Sequence, residues 1–383
     1  MKRIGIIFTV LCLLFAIIPL GVSAEDTKIE AKSALLMDVA TGTVLYEQNS
    51  HAPLAPASVT KVMTMLLIME AIDSGKIGWD DGVIASEAAA AKGGSQIYLK
   101  VGESMSVRDM VKSIAVSSAN DCACAMAEHI SGSESAFVDA MNQRAKELGM
   151  NDTHFVNCTG LDDDPAAKDH LTSAHDIALM SRELLKNHPA IKEYTTIWMD
   201  TVRNGEFGLS NTNKLVRFYP GATGLKTGFT SQAGYCLSAA AQREGMELVA
   251  VVMGCETSAK RFAACKSLLD MGFANYALVQ PEIPAENTVP VKLGVADTVT
   301  AVPAEKNPFL LDKSQKNTVT TEISLDQSVD APVSKGQRLG TMTVRAGDKI
   351  LAQIPMVAEA PVAKLTFGQV FLRLLKQFFM ASK

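Results

Sequence analysis

A serine and a lysine three residues apart stand where an apolar helix is predicted to begin. Ser58 and Lys61 belong to the stretch LAPASVTKVMTMLLIMEAI, which starts at Leu54. After Thr60 the stretch is apolar on all sides, which is typical of a helix buried in the centre of a domain. Pro56 prevents the helix from starting earlier. Because residues three apart share one face of a helix, Lys61 is expected to lie buried beside Ser58.

Such a pair is suited to nucleophilic catalysis. A serine hydroxyl is a poor nucleophile that needs a neighbouring base, and lysine is a base only when neutral. Burial lowers the pKa of a lysine, and a second cation, here Lys226, lowers it in the same direction. The helix N-terminus stabilises negative charge that develops at Ser58. The structural alternative is that Ser58 only caps the helix and that the Lys61 ammonium group extends to the surface.

Two further short motifs follow in the chain. The triplet SAN, Ser118 to Asn120, falls at a predicted break between two helices, and the triplet KTG, Lys226 to Gly228, precedes a stretch typical of an edge β-strand. Serine with lysine three residues later and KTG each occur once in the sequence. In this order the three motifs form the signature of penicillin-binding proteins and serine β-lactamases.

The sequence resembles the D-alanyl-D-alanine carboxypeptidases, which are low-molecular-mass penicillin-binding proteins. The resemblance runs from about Lys28 to the C-terminus and includes PASVTK, SSAND, HFVNCTGLDD and PGATGLKTGFT. The sequence departs from it at Cys158, where many relatives carry proline, and at Ala119, where some carry glycine. The resemblance implies a serine-type enzyme that removes the terminal D-alanine from peptidoglycan stem peptides and is acylated by penicillin and other β-lactams.

The resemblance also implies catalytic roles. Ser58 is the nucleophile, Lys61 is its base, and Ser118 relays a proton between Lys61, Lys226 and the leaving group. The backbone N–H groups of Ser58 and Phe229 form an oxyanion hole.

Substrate-binding roles follow in the same way. Asn120 holds the substrate amide, and a substrate with a free carboxylate requires cationic partners. The structural alternative for Arg261 is an ordinary surface helix residue. The residues with implied substrate-binding roles are Asn120, Lys226, Thr227, Gly228, Phe229 and Arg261.

The chain divides into four predicted parts. Residues 1–24 have the charged start, apolar run and small-residue end of a signal peptide, which indicates an exported protein. For residues 25–277 we predict an α+β domain, a mainly antiparallel sheet flanked by helices, which the resemblance assigns to the β-lactamase/transpeptidase-like fold. Residues 278–360 are rich in valine, threonine and proline in alternating runs and are predicted to form a small all-β domain.

Residues 361–383 are predicted to form an amphipathic helix with a basic polar face. From residue 364 to residue 383 there is no acidic residue. Such a helix suits the plane of a membrane surface, which places the protein on the outer face of the cytoplasmic membrane, or secreted if the tail does not bind. The alternative is a terminal helix packed on the core. The residues of the apolar face are Phe367, Val370, Phe371, Leu374, Leu375, Phe378 and Phe379.

Charge and cysteine content argue against a nucleic-acid partner, a metal site and disulfides. The chain has 36 basic and 41 acidic residues and no basic stripe, which argues against a nucleic-acid partner. No spacing of cysteine and histidine indicates a metal site, and no organic cofactor is implied. We predict buried free thiols rather than disulfides, because a large domain needs no covalent crosslinks and most of the thiols lie in apolar segments. The six cysteines of the mature chain are Cys122, Cys124, Cys158, Cys236, Cys255 and Cys265.

Three alternatives to a carboxypeptidase remain open. A β-lactamase shares the motifs, but class A enzymes need an extra glutamate, and Asp162 to Asp164 do not reproduce its context. An endopeptidase acting on crosslinks has the same motifs. A non-catalytic wall-binding protein is disfavoured because the motif residues Ser58, Lys61, Ser118, Asn120 and Lys226 are intact.

Overall fold

A computed structural model describes residues 28–163, 165–285 and 287–380. The predicted signal peptide, residues 1–24, and the last three residues of the predicted C-terminal helix lie outside these ranges. The predicted boundary between residues 25–277 and residues 278–360 falls inside a short strand, Tyr276–Val279. The boundary therefore remains a prediction.

The first domain is built on a five-stranded antiparallel sheet in the order β2-β1-β9-β8-β7. Two pairs of shorter strands, β3 with β4 and β5 with β6, lie outside it. Hairpin turns join β1 to β2, β7 to β8 and β8 to β9. The strands are β1 (Ser33–Asp38), β2 (Val44–Gln48), β3 (Gly82–Ile84), β4 (Ser104–Ser106), β5 (Met199–Val202), β6 (Phe207–Ser210), β7 (Ala222–Thr230), β8 (Gly234–Arg243) and β9 (Met246–Cys255).

Helices cover both faces of this sheet. Alternate residues of a strand point to opposite faces, so Leu35 and Met37 join the core of the larger helical layer while Leu36 packs toward α9. This arrangement confirms the predicted α+β class. The helices are α1 (Lys61–Asp73), α2 (Glu87–Ala90), α3 (Val107–Ser117), α4 (Asn120–Ser131), α5 (Glu134–Glu147), α6 (Ala174–Asn187), α7 (Lys192–Thr195), α8 (Leu215–Phe218) and α9 (Ser258–Asn275).

The predicted apolar helix is the central helix of the larger layer. Most of its side chains are fully buried, including Met63 and Leu66. The α-helix begins at Lys61 and not at Ser58 as predicted, because a 3-10 turn over Ala57–Thr60 precedes it. Ala57 has a φ of 48°, a value outside the helical region, which prevents regular α-helix from extending back to it.

The C-terminal domain is a six-stranded sheet in the order β14-β16-β17-β12-β11-β15 around its own apolar core. A two-stranded pair, β10 with β13, joins it to the first domain. The predicted all-β character is confirmed. The strands are β10 (Tyr276–Val279), β11 (Thr288–Lys292), β12 (Thr298–Pro303), β13 (Phe309–Asp312), β14 (Val319–Leu325), β15 (Val329–Asp330), β16 (Arg338–Ala346) and β17 (Lys349–Ala358).

The chain continues into helix α10 (Phe367–Met380), whose apolar side chains are exposed. Phe367 is 88% exposed and Phe378 is 73% exposed, so this helix is not packed on a core. Its polar side is tied to the β-domain by Arg373, which pairs with Asp297. Among the described residues, no helix is both long enough and apolar enough to cross a membrane.

The six cysteines are buried free thiols, as predicted. Cys122 and Cys124 lie on α4, where residues two apart point to different sides. The Cys158 thiol donates to Glu134 Oε1 at 3.2 Å. This bond attaches the loop after α5 to the first turn of that helix.

Candidate active site

The serine and lysine of the first motif meet as their spacing predicts. Lys61 Nζ lies 2.9 Å from Ser58 Oγ. Ser58 is half-buried in the 3-10 turn, whereas Lys61 is fully buried at the start of α1. The Lys61 ammonium group therefore does not reach the surface, and the structural alternative for it is wrong.

Burial gives Lys61 the properties of a base. It lowers the pKa of Lys61 to about 7, against the smaller opposing effects of Cys158 and Asp121. Lys61 Nζ also donates to the backbone oxygen of Thr159 at 2.8 Å, which holds the amine toward the serine. A lysine with a pKa near neutrality is unprotonated in a large fraction of molecules and can accept a proton.

Lys226 is the second buried amine of the site. Its pKa is lowered well below the usual range, first by burial and then by the charges of Lys61 and Arg261. The predicted effect of Lys226 on the pKa of Lys61 is not found, because burial is what lowers that pKa. Lys226 Nζ donates to the Thr227 carbonyl oxygen at 2.9 Å.

The SAN triplet forms the break between α3 and α4, as predicted. Ser118 ends α3 in the left-handed conformation with a φ of 65°, and Asn120 starts α4. The Asn120 side chain donates through Nδ2 to the Gly93 carbonyl at 2.7 Å. Within the described part of the chain its Oδ1 is buried without a hydrogen-bond partner. That oxygen is thus an available acceptor for an amide N–H.

The KTG triplet lies inside the edge strand β7 and does not precede a strand as predicted. A Cβ on Gly228 would come within 2.6 Å of the Pro56 carbonyl oxygen and 3.1 Å of the Ser58 nitrogen. Only glycine therefore allows β7 to pack this closely against the turn that carries Ser58. Thr227 Oγ1 donates to the Thr212 hydroxyl oxygen at 2.7 Å.

Phe229 follows the triplet with its ring on the surface. The ring is 54% exposed and stacks on Tyr235, with 4.3 Å between centroids. Its backbone N–H belongs to the same peptide group as the Gly228 carbonyl. That carbonyl accepts a hydrogen bond from Arg261, so the orientation of the Phe229 N–H is fixed from behind the strand.

Arg261 is buried on α9 and is not a surface helix residue. Its Nη1 donates to the Gly228 carbonyl at 2.9 Å, and burial lowers its pKa. The guanidinium lies over the Tyr235 ring at 5.3 Å and the Phe262 ring at 4.9 Å. Arg261 Nε is buried without a partner among the described residues. The side chain therefore brings positive charge to the back of β7 next to the triplet.

Asp121 supports the site but was not predicted to have a role in it. The Asp121 carboxylate is fully buried and accepts backbone N–H groups of Ile97 at 3.1 Å and Leu99 at 3.0 Å. This fixes the loop whose Gly93 carbonyl holds Asn120. An acid directly after SAN is the only sequence feature that marks Asp121.

The loop that presents Thr159 to the amine of Lys61 was also not predicted. Asn157 Oδ1 accepts the backbone N–H groups of Thr159 at 3.1 Å and Gly160 at 2.6 Å. Gly160 has a φ of 80°, and a Cβ there would overlap the Ala57 carbonyl oxygen. The hydrogen bond between Lys61 and the Thr159 carbonyl joins residues far apart in the chain, so residue spacing does not predict it.

The chain matches the profiles of two known protein families. The profile of the family described as D-alanyl-D-alanine carboxypeptidase matches residues 21–257. The profile described as the C-terminal domain of penicillin-binding protein 5 matches residues 279–364.

Individual relatives resemble most of the chain. D-alanyl-D-alanine carboxypeptidase DacF of Bacillus subtilis (strain 168) is 44% identical over 354 residues, which cover 91% of this chain and 90% of DacF. The crystal structure of penicillin-binding protein 5 from Haemophilus influenzae is similar, with a TM-score of 0.72 and 30% identity, over 88% of this chain and 98% of that one.

A third similarity bears on inhibitors. The ampicillin-bound form of penicillin-binding protein D2 from Listeria monocytogenes has a TM-score of 0.57 and 33% identity, over 65% of this chain and 99% of that one. The matches to the two family profiles and to DacF show that the chain belongs to the D-alanyl-D-alanine carboxypeptidase family of serine peptidases, with a C-terminal domain of the kind found in penicillin-binding protein 5.

Proposed function

We propose that the protein is a serine-type D-Ala-D-Ala carboxypeptidase that removes the terminal D-alanine from peptidoglycan stem peptides. The reaction proceeds through an acyl-enzyme on Ser58, and β-lactams acylate the same serine. The main support is the 2.9 Å distance between Lys61 Nζ and Ser58 Oγ, together with the pKa of about 7 for that lysine.

Acylation begins when Ser58 Oγ attacks the carbonyl carbon of the penultimate D-alanine. Lys61 takes the hydroxyl proton as the new C–O bond forms. The negative charge that develops on the substrate oxygen is stabilised by the backbone N–H groups of Ser58 and Phe229. Ser118, which the resemblance places between Lys61, Lys226 and the leaving group, passes the proton that Lys61 took from Ser58 to the leaving amine when the C–N bond breaks. Water then hydrolyses the ester and releases the shortened peptide.

Substrate binding uses the second and third motifs. Asn120 Oδ1, buried and unpartnered within the described ranges, accepts the N–H of the substrate amide. We assign the terminal carboxylate to Lys226, Thr227 and Arg261, whose guanidinium contributes its positive charge from the back of β7. Gly228 supplies the space between β7 and the turn of Ser58.

The test compares three substrates with the same preparation. We expect D-alanine release from an L-Lys-D-Ala-D-Ala peptide. Cleavage of a crosslinked stem-peptide dimer and of a chromogenic cephalosporin should be much slower. Faster cleavage of the dimer would favour a DD-endopeptidase. Rapid turnover of the cephalosporin would favour a β-lactamase, and no turnover of any substrate by the folded protein would favour a non-catalytic wall-binding protein.

The pH dependence of acylation should report the titration of Lys61. Its neutral fraction decreases about tenfold for each pH unit below its pKa, so we expect the acylation rate constant to rise with pH up to about 7 and then to level off. Stopped-flow measurement with a fluorescent penicillin between about pH 5.5 and pH 8.5 gives this profile, and a melting curve at each pH controls for unfolding. A flat profile would contradict the role of Lys61 as base.

The protein is proposed to act outside the cytoplasm, docked on the outer face of the cytoplasmic membrane. Its β-domain holds the catalytic domain away from the bilayer. The support is α10, which presents exposed phenylalanines and carries Arg373 and Lys376 without an acidic residue. An apolar face with basic residues on the polar side binds in the interface of an anionic membrane.

Deletion of residues 364–383 should release active protein into solution. We expect the truncated protein to remain in the supernatant when mixed with phosphatidylglycerol vesicles and to retain its D-alanine release, while the longer chain sediments with them. Each buried phenylalanine contributes roughly 2 kcal/mol to binding.

Two single variants form a matched control for the tail. Phe371→Ser should weaken vesicle binding, whereas Gln369→Ser on the other face should not. A truncated protein that still sediments with vesicles would rule out this anchor.

A further inference from the structure

His170 is a buried histidine outside the three motifs that contacts the turn of the nucleophile. It is 3% exposed and follows a 3-10 helix over Pro165–Asp169. Its Nδ1 accepts the backbone N–H of Val156 at 3.0 Å, and its Nε2 lies 2.8 Å from Thr60 Oγ1.

These two contacts fix the tautomer of the ring. A backbone N–H can only donate, so Nδ1 carries no proton and the neutral ring is protonated at Nε2. His170 therefore donates to Thr60 Oγ1. The Thr60 hydroxyl in turn donates to the Ala57 carbonyl oxygen at 2.8 Å. A directed chain of hydrogen bonds thus runs from His170 through Thr60 to Ala57.

The chain ends on the peptide group that carries the Ser58 N–H. In a trans peptide the carbonyl and the N–H point in opposite directions. A donor on the Ala57 oxygen therefore fixes the direction of the Ser58 N–H and increases its polarity. The fixed geometry matters here because Ala57 has a φ of 48°, which is unfavourable for an alanine.

The other proposed oxyanion donor is supported in the same way. The Phe229 N–H shares its peptide with the Gly228 carbonyl, which accepts from the buried Arg261 at 2.9 Å. Both N–H groups thus have a buried donor on the opposite end of their peptide. This correspondence between two independent segments is the observation that favours a functional role over simple packing.

We propose that His170 and Thr60 are positioning residues that orient and polarise the Ser58 N–H of the oxyanion hole. The proposal rests on the proposed function, because it assigns the Ser58 N–H to the oxyanion of acylation. His170 acts only through Thr60. Burial lowers the pKa of His170 to about 4, with smaller contributions from His154 and Lys61, so the donating neutral form persists at neutral pH.

The test pairs a disruptive and a conservative variant at each position. Thr60→Val keeps the shape of the side chain and removes the hydroxyl, whereas Thr60→Ser keeps the hydroxyl. In His170→Asn the amide oxygen takes the place of Nδ1 and the contact with Thr60 is lost. In His170→Gln the amide reaches the place of Nε2 and can still donate to Thr60.

Two quantities are measured in the full chain. The first is the rate constant of acylation by a fluorescent penicillin, with the noncovalent dissociation constant determined separately. The second is the infrared stretching frequency of the acyl-enzyme ester carbonyl, which rises when the oxyanion hole donates more weakly. A melting temperature for each variant reports any loss of stability.

We expect Thr60→Val and His170→Asn to lower the acylation rate constant by about tenfold or more and to raise the carbonyl frequency. Thr60→Ser and His170→Gln should stay within about threefold of the parent protein. The double variant Thr60→Val/His170→Asn should be no slower than Thr60→Val, because His170 acts through Thr60.

Other results would overturn the proposal. One is an unchanged acylation rate constant and carbonyl frequency in the folded disruptive variants. The other is an equal decrease of the rate constant in disruptive and conservative variants, in proportion to the decrease of their melting temperatures. If one disruptive variant does not fold, the other tests the same chain of bonds. A parent protein that is not acylated at all would instead refute the proposed function, and the inference with it.

Discussion

Replacement of Ser58 with alanine is expected to abolish D-alanine release and covalent penicillin binding. Without the hydroxyl no acyl-enzyme forms, so kcat/KM should fall on the order of 10⁴-fold or more. The melting temperature should change little, since Ser58 is only half-buried. Release of D-alanine from an L-Lys-D-Ala-D-Ala peptide measures the activity, and mass spectrometry after incubation with penicillin detects the adduct.

Ser74→Ala serves as the matched control. Ser74 is exposed just after the far end of α1, where its Oγ donates to the Ala71 carbonyl at 3.2 Å. Its loss should leave both release and adduct formation at the parental level. If release survived in Ser58→Ala, Ser58 would not be the nucleophile, and the proposed chemistry would have to be reassigned.

Lys61→Met should have the second largest effect. Methionine fills a similar volume but offers no base, so we expect the acylation rate constant to fall about 10³-fold, with little change in the noncovalent affinity for penicillin. The stability should change little, because removal of a costly buried amine is offset by loss of its hydrogen bond to the Thr159 carbonyl. Acylation is followed by stopped-flow fluorescence, and stability by thermal melting.

The pH profile distinguishes loss of the base from general damage. In Lys61→Met the rise of the acylation rate up to about pH 7 should disappear, whereas Lys76→Met, at an exposed lysine just beyond α1, should retain it. If the rise persisted in Lys61→Met, another group would be responsible for it. Unchanged rates in Lys61→Met would contradict the assignment of the base.

The sequence alone was sufficient where the chemistry is local. Ser58 and Lys61 are one helical turn apart, so their contact follows from spacing, and the apolar surroundings of α1 predict the burial that lowers the pKa of Lys61. The helix break at SAN, the α+β class and the all-β character of the C-terminal domain follow in the same way from pattern. The role of Arg261 was predicted only from the resemblance, because nothing in its local sequence predicts a buried guanidinium.

Other predictions failed where local signals compete. The sequence placed the helix start at Ser58, but the backbone at Ala57 leaves the helical region and a 3-10 turn intervenes. It placed KTG before a strand, whereas the triplet lies within β7, because two glycines and a lysine weaken the strand pattern. The membrane role of α10 remains a prediction for the vesicle experiment.

Only the tertiary structure decided which distant segments complete the site. Lys61 is held by the Thr159 carbonyl, 98 residues away, and Thr60 by His170, 110 residues away. Such pairs form because packing brings α1 and the loop after α5 together, and a buried polar group left without a partner is costly. The sequence thus determined which residues can react, and packing determined how they are held.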